Sequence, residues 1–317
     1  MFPLIAVILL ALVATARPEE STPIHRPHFT YYLDNAHYLD EADSVLNATR
    51  NELAGMLRDT LSYVPSVYIV GDLTRFKALV GGYFPDWGAA AAAPPRQLIA
   101  IKSPDRFNLN RSLPELLAHE YAHLALEDRT GVYSTPRWFQ EGLAMLVSTE
   151  WSWSDNLAMG KAAVFGQLIP LEDIDSVNRF TGGKAHVAYA ESYLAVEYFF
   201  RAYGIDAVNI FLDTIASGGS IDSALMASTG SDYADFEKEF RATLVSRFNV
   251  ASIFMDTIFL WIILAVVVLV GFFLQRRRRK RYHDKWEEYD TYHSTDFDYG
   301  DPDHPEKIDD DDEPWRQ

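Results

Sequence analysis

Ser112-Leu113-Pro114-Glu115-Leu116-Leu117-Ala118-His119-Glu120-Tyr121-Ala122-His123-Leu124-Ala125-Leu126-Glu127 decides how this chain is to be read. A serine with a glutamate three residues on and a proline in the first turn is a helix start, so a helix is predicted from Ser112 through about Glu127. His119 and His123 then stand on one face, one turn apart, where both imidazoles can reach one tetrahedral cation with Glu120 beside its open position. Leu116, Leu117, Leu124 and Leu126 bury the helix, and two histidines and a glutamate are costly to bury without a partner. The expected partner is zinc. With no cysteine in the chain, a metal has only imidazole and carboxylate to bind.

The next segment, Thr135-Pro136-Arg137-Trp138-Phe139-Gln140-Glu141-Gly142-Leu143-Ala144-Met145-Leu146, reads as a second helix with Thr135 as its cap and Pro136 as its first residue. Trp138, Glu141 and Met145 share a face, so Glu141 points inward among apolar neighbours. A carboxylate there needs a cation. A metal or an arginine would serve.

Together, LLAHEYAHLAL and PRWFQEGLAML resemble the gluzincin metallopeptidases, in particular the small peptidase-MA-like families whose second helix reads P-x-W-x-x-E-G-x-A. The likeness continues through Ile169-Pro170-Leu171, Ala188-Tyr189-Ala190-Glu191-Ser192 and the stretch from Phe236 to Phe240. It implies zinc bound by His119, His123 and Glu141, with Glu120 as general base for the hydrolysis of peptide bonds. It also implies that the last strand before the motif helix, placed at Arg96 to Lys102, is an exposed edge that pairs with an extended peptide. Many gluzincins carry an aspartate four residues after the glutamate ligand to orient the histidines. Met145 stands there, so that orientation must come from elsewhere. For the oxyanion of the reaction the candidate donor is Tyr189, with His186 three residues earlier on the same helical face. The stripe Tyr189, Tyr193, Val196 and Phe200 reads equally as core packing. The other functional reading is a catalytically idle domain of this fold that binds a peptide or protein at the cell surface.

Outward from the motifs, the fold class is α+β, with a small N-terminal sheet and a mainly helical second half. Ala42, Val45, Leu46, Thr49, Leu53, Met56, Leu57 and Leu61 recur at steps of three and four, a helix. Ser66 to Val70 and Gln97 to Ile101 read as strands, and Gly81 to Pro95, with its five alanines, as a loop rimming the cleft.

The ends divide the chain further. Residues 1–16 read as a signal peptide, with an apolar run to Val13 and Ala14-Thr15-Ala16 as the cleavage site, or, since no lysine or arginine precedes the run, as an uncleaved anchor. The exported domain is 17–252. Residues 253–274 are read as a transmembrane helix, about 33 Å long, and Arg276 to Arg281 as the stop-transfer cluster that leaves the C-terminus cytoplasmic. Residues 275–317 combine that cluster with an acidic tail, disordered from Tyr282 onward and able to dock a cytoplasmic partner. The formal net charge of −17 argues against nucleic acid, which needs a basic surface.

Overall fold

Alternation with a period of two builds the sheet. The computed structural model describes residues 22–81, 88–131, 135–248 and 258–292. Strands β1 (Ile24–His25), β2 (Thr30–Leu33), β3 (Ser66–Val70), β4 (Ala90–Ala93) and β5 (Leu98–Lys102) form one sheet in the order β1-β2-β3-β5-β4. The three inner strands are parallel, and β1 and β4 run antiparallel along the two edges. Tyr31, Leu33, Val67, Ile69, Ile99 and Ile101 belong to the main core. On the other face Val70, Leu98 and Ala100 pack with Phe76 of the short helix α2 (Leu73–Val80).

This sheet corrects the placement of the edge. Arg96 is not in a strand but in the 3₁₀ turn Pro94–Arg96, where its guanidinium donates to the Ala78 and Leu79 carbonyls at 2.8 Å each. Leu98–Lys102 is an inner strand, buried at all five positions, and the edge is β4. Four alanines carry no strand propensity, so β4 was legible only as loop. Pro94, Pro95 and the left-handed Gln97 (φ 55°) turn the chain back into β5. Of the predicted cleft rim, residues 82–87 lie outside the described residues.

The helices are α1 (Leu39–Leu57), α3 (Leu113–Thr130), α4 (Arg137–Ser148), α5 (Trp153–Val164), α6 (Gly182–Ala216), α7 (Ile221–Thr229) and α8 (Tyr233–Arg247). In α1, Ala42, Leu46, Thr49, Leu53 and Leu57 are buried, and the helix stops at the left-handed Arg58, before the predicted Leu61. Gly204 (φ 81°) breaks α6. A Cβ on Gly142 of α4 would stand 2.1 Å from the Ser192 carbonyl oxygen of α6, so glycine is what lets these two helices touch.

This α+β unit extends to Ile253, and a second unit covers Phe254–Gln317. In the second, α9 (Ile258–Tyr292) is described. Among the described residues no helix is long and apolar enough to cross a membrane. The apolar part of α9 runs from Ile258 to Leu274, about 25 Å against the roughly 30 Å of a bilayer core. The first turn of the predicted span, 253–257, lies outside the described residues. Helix α9 also continues to Tyr292, into the tail read as disordered from Tyr282. Extending an existing helix needs no new nucleus, which composition alone does not reveal. The predicted signal peptide, 1–16, and residues 293–317 lie outside the described residues.

Candidate metal centre

The phase of α3 is set at its first turn. Ser112 N–H donates to Glu115 Oε2 at 2.7 Å and Glu115 N–H donates to Ser112 Oγ, the reciprocal cap read from the sequence. Helix α4 begins one residue later than predicted, with Pro136 as its cap. Its close approach to α6 at Gly142 positions the neighbouring Glu141 against α3.

The structure brings His119, His123 and Glu141 together, with one ligand atom from each lying within 4.8 Å of the others. His119 Nε2 is 3.5 Å and His123 Nε2 3.9 Å from Glu141 Oε2, and the two rings stand 5.0 Å apart. The other carboxylate oxygen, Oε1, takes the Arg137 guanidinium at 2.7 Å. Of the two partners open to Glu141 in the sequence, the arginine thus takes Oε1, and Oε2 faces the two imidazoles.

Burial would raise the Glu141 carboxyl, but the neighbouring His119, His123 and Arg137 hold it down at about 2. Burial would lower His119, yet Glu141 and Glu150 carry it up to about 10. His123, with burial dominant, falls to about 4. The three groups thus hold a carboxylate charge facing two imidazoles in a buried place, an arrangement suited to a cation. Two imidazole nitrogens and one carboxylate oxygen, buried and convergent, fit zinc in a site that leaves a fourth position open.

Glu120 is 8% exposed, its pKa raised by burial, and its Oε2 accepts the Ala92 N–H of β4 at 2.6 Å. Tyr189 on α6 lies beside Arg137 and feels Glu141, with its pKa raised by burial first. His186 turns elsewhere: its Nε2 pairs with Asp155 Oδ1 at 2.8 Å.

The residue that sequence reasoning missed is Glu150. Thr149 ends α4 in the left-handed conformation (φ 56°) and turns the chain so that Glu150 Oε1 meets His119 Nδ1 at 2.8 Å. Ser148 Oγ donates to the same oxygen at 2.7 Å and Arg111 reaches Oε2 at 2.9 Å. Burial works against its charge, but His119 and Arg111 hold its pKa below the usual range. Glu150 thus gives the His119 ring a carboxylate partner that Met145, an apolar core residue, cannot offer. An acid just beyond a helix end was the only signal, and it is a weak one.

The profile of the Peptidase MA superfamily matches residues 58–246, more than half of the chain. No curated protein matches it. The chain belongs to the Peptidase MA superfamily.

Proposed function

We propose that this member of the Peptidase MA superfamily is a gluzincin-type zinc metallopeptidase in which His119, His123 and Glu141 hold the metal and Glu120 is the general base. The observation that carries the reading is a buried carboxylate, Glu120, adjoining a cage built for a cation. Zinc bound there would supply a polarised carbonyl and an activated water. Glu120, with Oε2 held by Ala92, has Oε1 left to take the water's proton and pass it to the leaving amine. Glu150 fixes the ring of His119, and Arg137 and Tyr189 present donors to the developing oxyanion.

An extended substrate would lie along β4. Lys102 N–H donates to the Ala89 carbonyl, so alternation turns the main-chain groups of Ala91 and Ala93 towards β5 and those of Ala90 and Ala92 outward. Among the described residues three outward groups are then open to a peptide: both of Ala90 and the carbonyl of Ala92. No large side chain on β4 selects among sequences.

Glu120→Gln in the full-length protein should keep zinc and fold, while peptide hydrolysis falls by on the order of 10² to 10⁴. New peptide termini counted by mass spectrometry are the readout. Equal cleavage by both proteins would remove Glu120 as the base, and a zinc-loaded wild type that cuts nothing would leave a peptide-binding domain. Residues 253–274 and the cluster Arg276 to Arg281 support a single-pass membrane anchor, with the catalytic unit outside and the C-terminus cytoplasmic. A reporter after Gln317 that proves accessible from outside intact cells would refute that topology.

A further inference from the structure

Helix α5 turns an apolar stripe to solvent. Trp153, Leu157, Lys161 and Val164 recur at steps of four, four and three and so share a face, and Phe165 follows at the helix end. Trp153 is 59% exposed and Phe165 72%, Val164 is exposed as well, and Leu157 is half-buried. Single apolar side chains on a surface need no explanation, but two aromatic rings and two aliphatic side chains along one short helix mark a contact surface.

The charges around the stripe say what it contacts. Acids make up 45 of the 317 residues, yet from Ser152 to Leu168 the sole acid is Asp155, which is buried and engaged by His186 at 2.8 Å. Among the described residues of this stretch the one exposed charged side chain is Lys161. Helix α5 packs on α8, and Trp151, two residues ahead of α5, holds its ring 6.0 Å from the Arg247 guanidinium in the last turn of α8. From Phe240 to Ser252 the chain again carries no acid. Val245 is exposed there, and Arg247 neutralises Glu197 of α6 at 2.7 Å. A chain of net charge −17 thus clears its acids from the two segments that meet at the end of α8. Tryptophan and phenylalanine beside a lysine are the side chains that settle at a lipid–water interface, the rings among the acyl ends and the ammonium at the phosphates.

The length of chain beyond α8 fixes the occupant. Four residues separate Phe248 from residue 253, where the proposed membrane span begins, and five Cα steps reach at most about 18 Å. With the anchor in place, the end of α8 and the start of α5 beside it stay near the bilayer surface. We propose that the exposed face of α5 rests on the lipid headgroup layer of the anchoring membrane, with Trp153 and Phe165 in the interface and Lys161 at the phosphates. The proposal rests on the single-pass anchor inferred above and is independent of whether the protein hydrolyses peptides.

The chain has no cysteine, so a nitroxide on one introduced cysteine reports on one position. Phe165→Cys, Trp153→Cys, Glu52→Cys on the exposed side of α1 and Val266→Cys in the predicted span are labelled in the full-length protein, reconstituted into phosphatidylcholine vesicles. Power-saturation spin resonance counts collisions with oxygen, which concentrates in hydrocarbon, and with a nickel chelate, which stays in water. Labels at positions 165 and 153 should meet nickel several-fold less often, and oxygen more often, than the label at position 52. If the label at 266 is shielded from nickel while those at 165 and 153 are as open as that at 52, the anchor stands and the proposal is overturned. Loss of nickel collisions without a gain in oxygen at 165 and 153 would also overturn it, because a second copy or another protein excludes both reagents. A label at 266 that is open to nickel would remove the anchor, and the proposal with it.

Discussion

Glu141 and Glu191 are both nearly sealed from solvent, at 3% and 1% exposure, and burial pushes both carboxyls upward. They end on opposite sides of their common reference of 4.5, Glu141 at about 2 and Glu191 at about 8. Glu141 has two imidazoles and a guanidinium within 4 Å. Glu191 accepts one main-chain N–H, from Ile169 at 2.8 Å, while the nearby Arg241 is engaged by Glu237 at 2.7 Å. Burial is the shared condition, and the cations decide. One region holds a charge ready for a metal, whereas the other uses a neutral acid to tie the 166–171 segment to α6.

The strongest attack on that contrast is Glu141→Gln, which keeps the shape and removes the charge. Zinc affinity should fall by more than the roughly 10- to 100-fold that follows loss of an orienting partner, read by competition with a chromophoric chelator. Affinity unchanged from wild type would make Glu141 a partner of Arg137 alone. A gentler probe of the same region is Glu150→Gln, which leaves all three proposed ligands in place. Zinc affinity should drop by about 10- to 100-fold with little change in thermal stability, and no drop would reduce Glu150 to a packing residue.

The smallest effect belongs to the other region. Glu191 titrates higher in the folded chain than in the unfolded one, so its contribution to stability is complete below about 4.5 and is lost as pH rises through about 8. Glu191→Gln retains an oxygen for the Ile169 N–H without the charge. It should match wild type in acid and exceed it at pH 8 by on the order of 1–2 kcal/mol, measured by denaturant unfolding. Parallel stability curves from pH 5 to 8 would show that Glu191 does not titrate as argued.

What the sequence made legible was local and periodic. The cap at Ser112 and Glu115, the i, i+4 spacing of His119 and His123, and the inward face of Glu141 each follow from helix geometry within a few residues. The strands at Ser66–Val70 and Leu98–Lys102 were readable because valine and isoleucine mark them. What escaped depends on pairing between distant segments. The alanines of β4 become a strand only because β5 provides the partner, and only the order of strands reveals which is outermost. Strand β2, with its two tyrosines and one leucine, is too short to outweigh the turns around it. Glu150 was hidden because its meeting with His119 depends on the backbone angle of Thr149.

That angle has a consequence beyond the site. A β-branched residue in the left-handed region carries strain of about 1–3 kcal/mol, which a glycine at the same place would relieve. Selection for a robust fold alone would favour glycine, but a glycine hinge would let the carboxylate beyond it wander. Thermal robustness and the grip of Glu150 on His119 are therefore in competition at one dihedral. A stabilising screen that ignored metal retention would be drawn to Thr149 and would loosen the centre while hardening the protein around it.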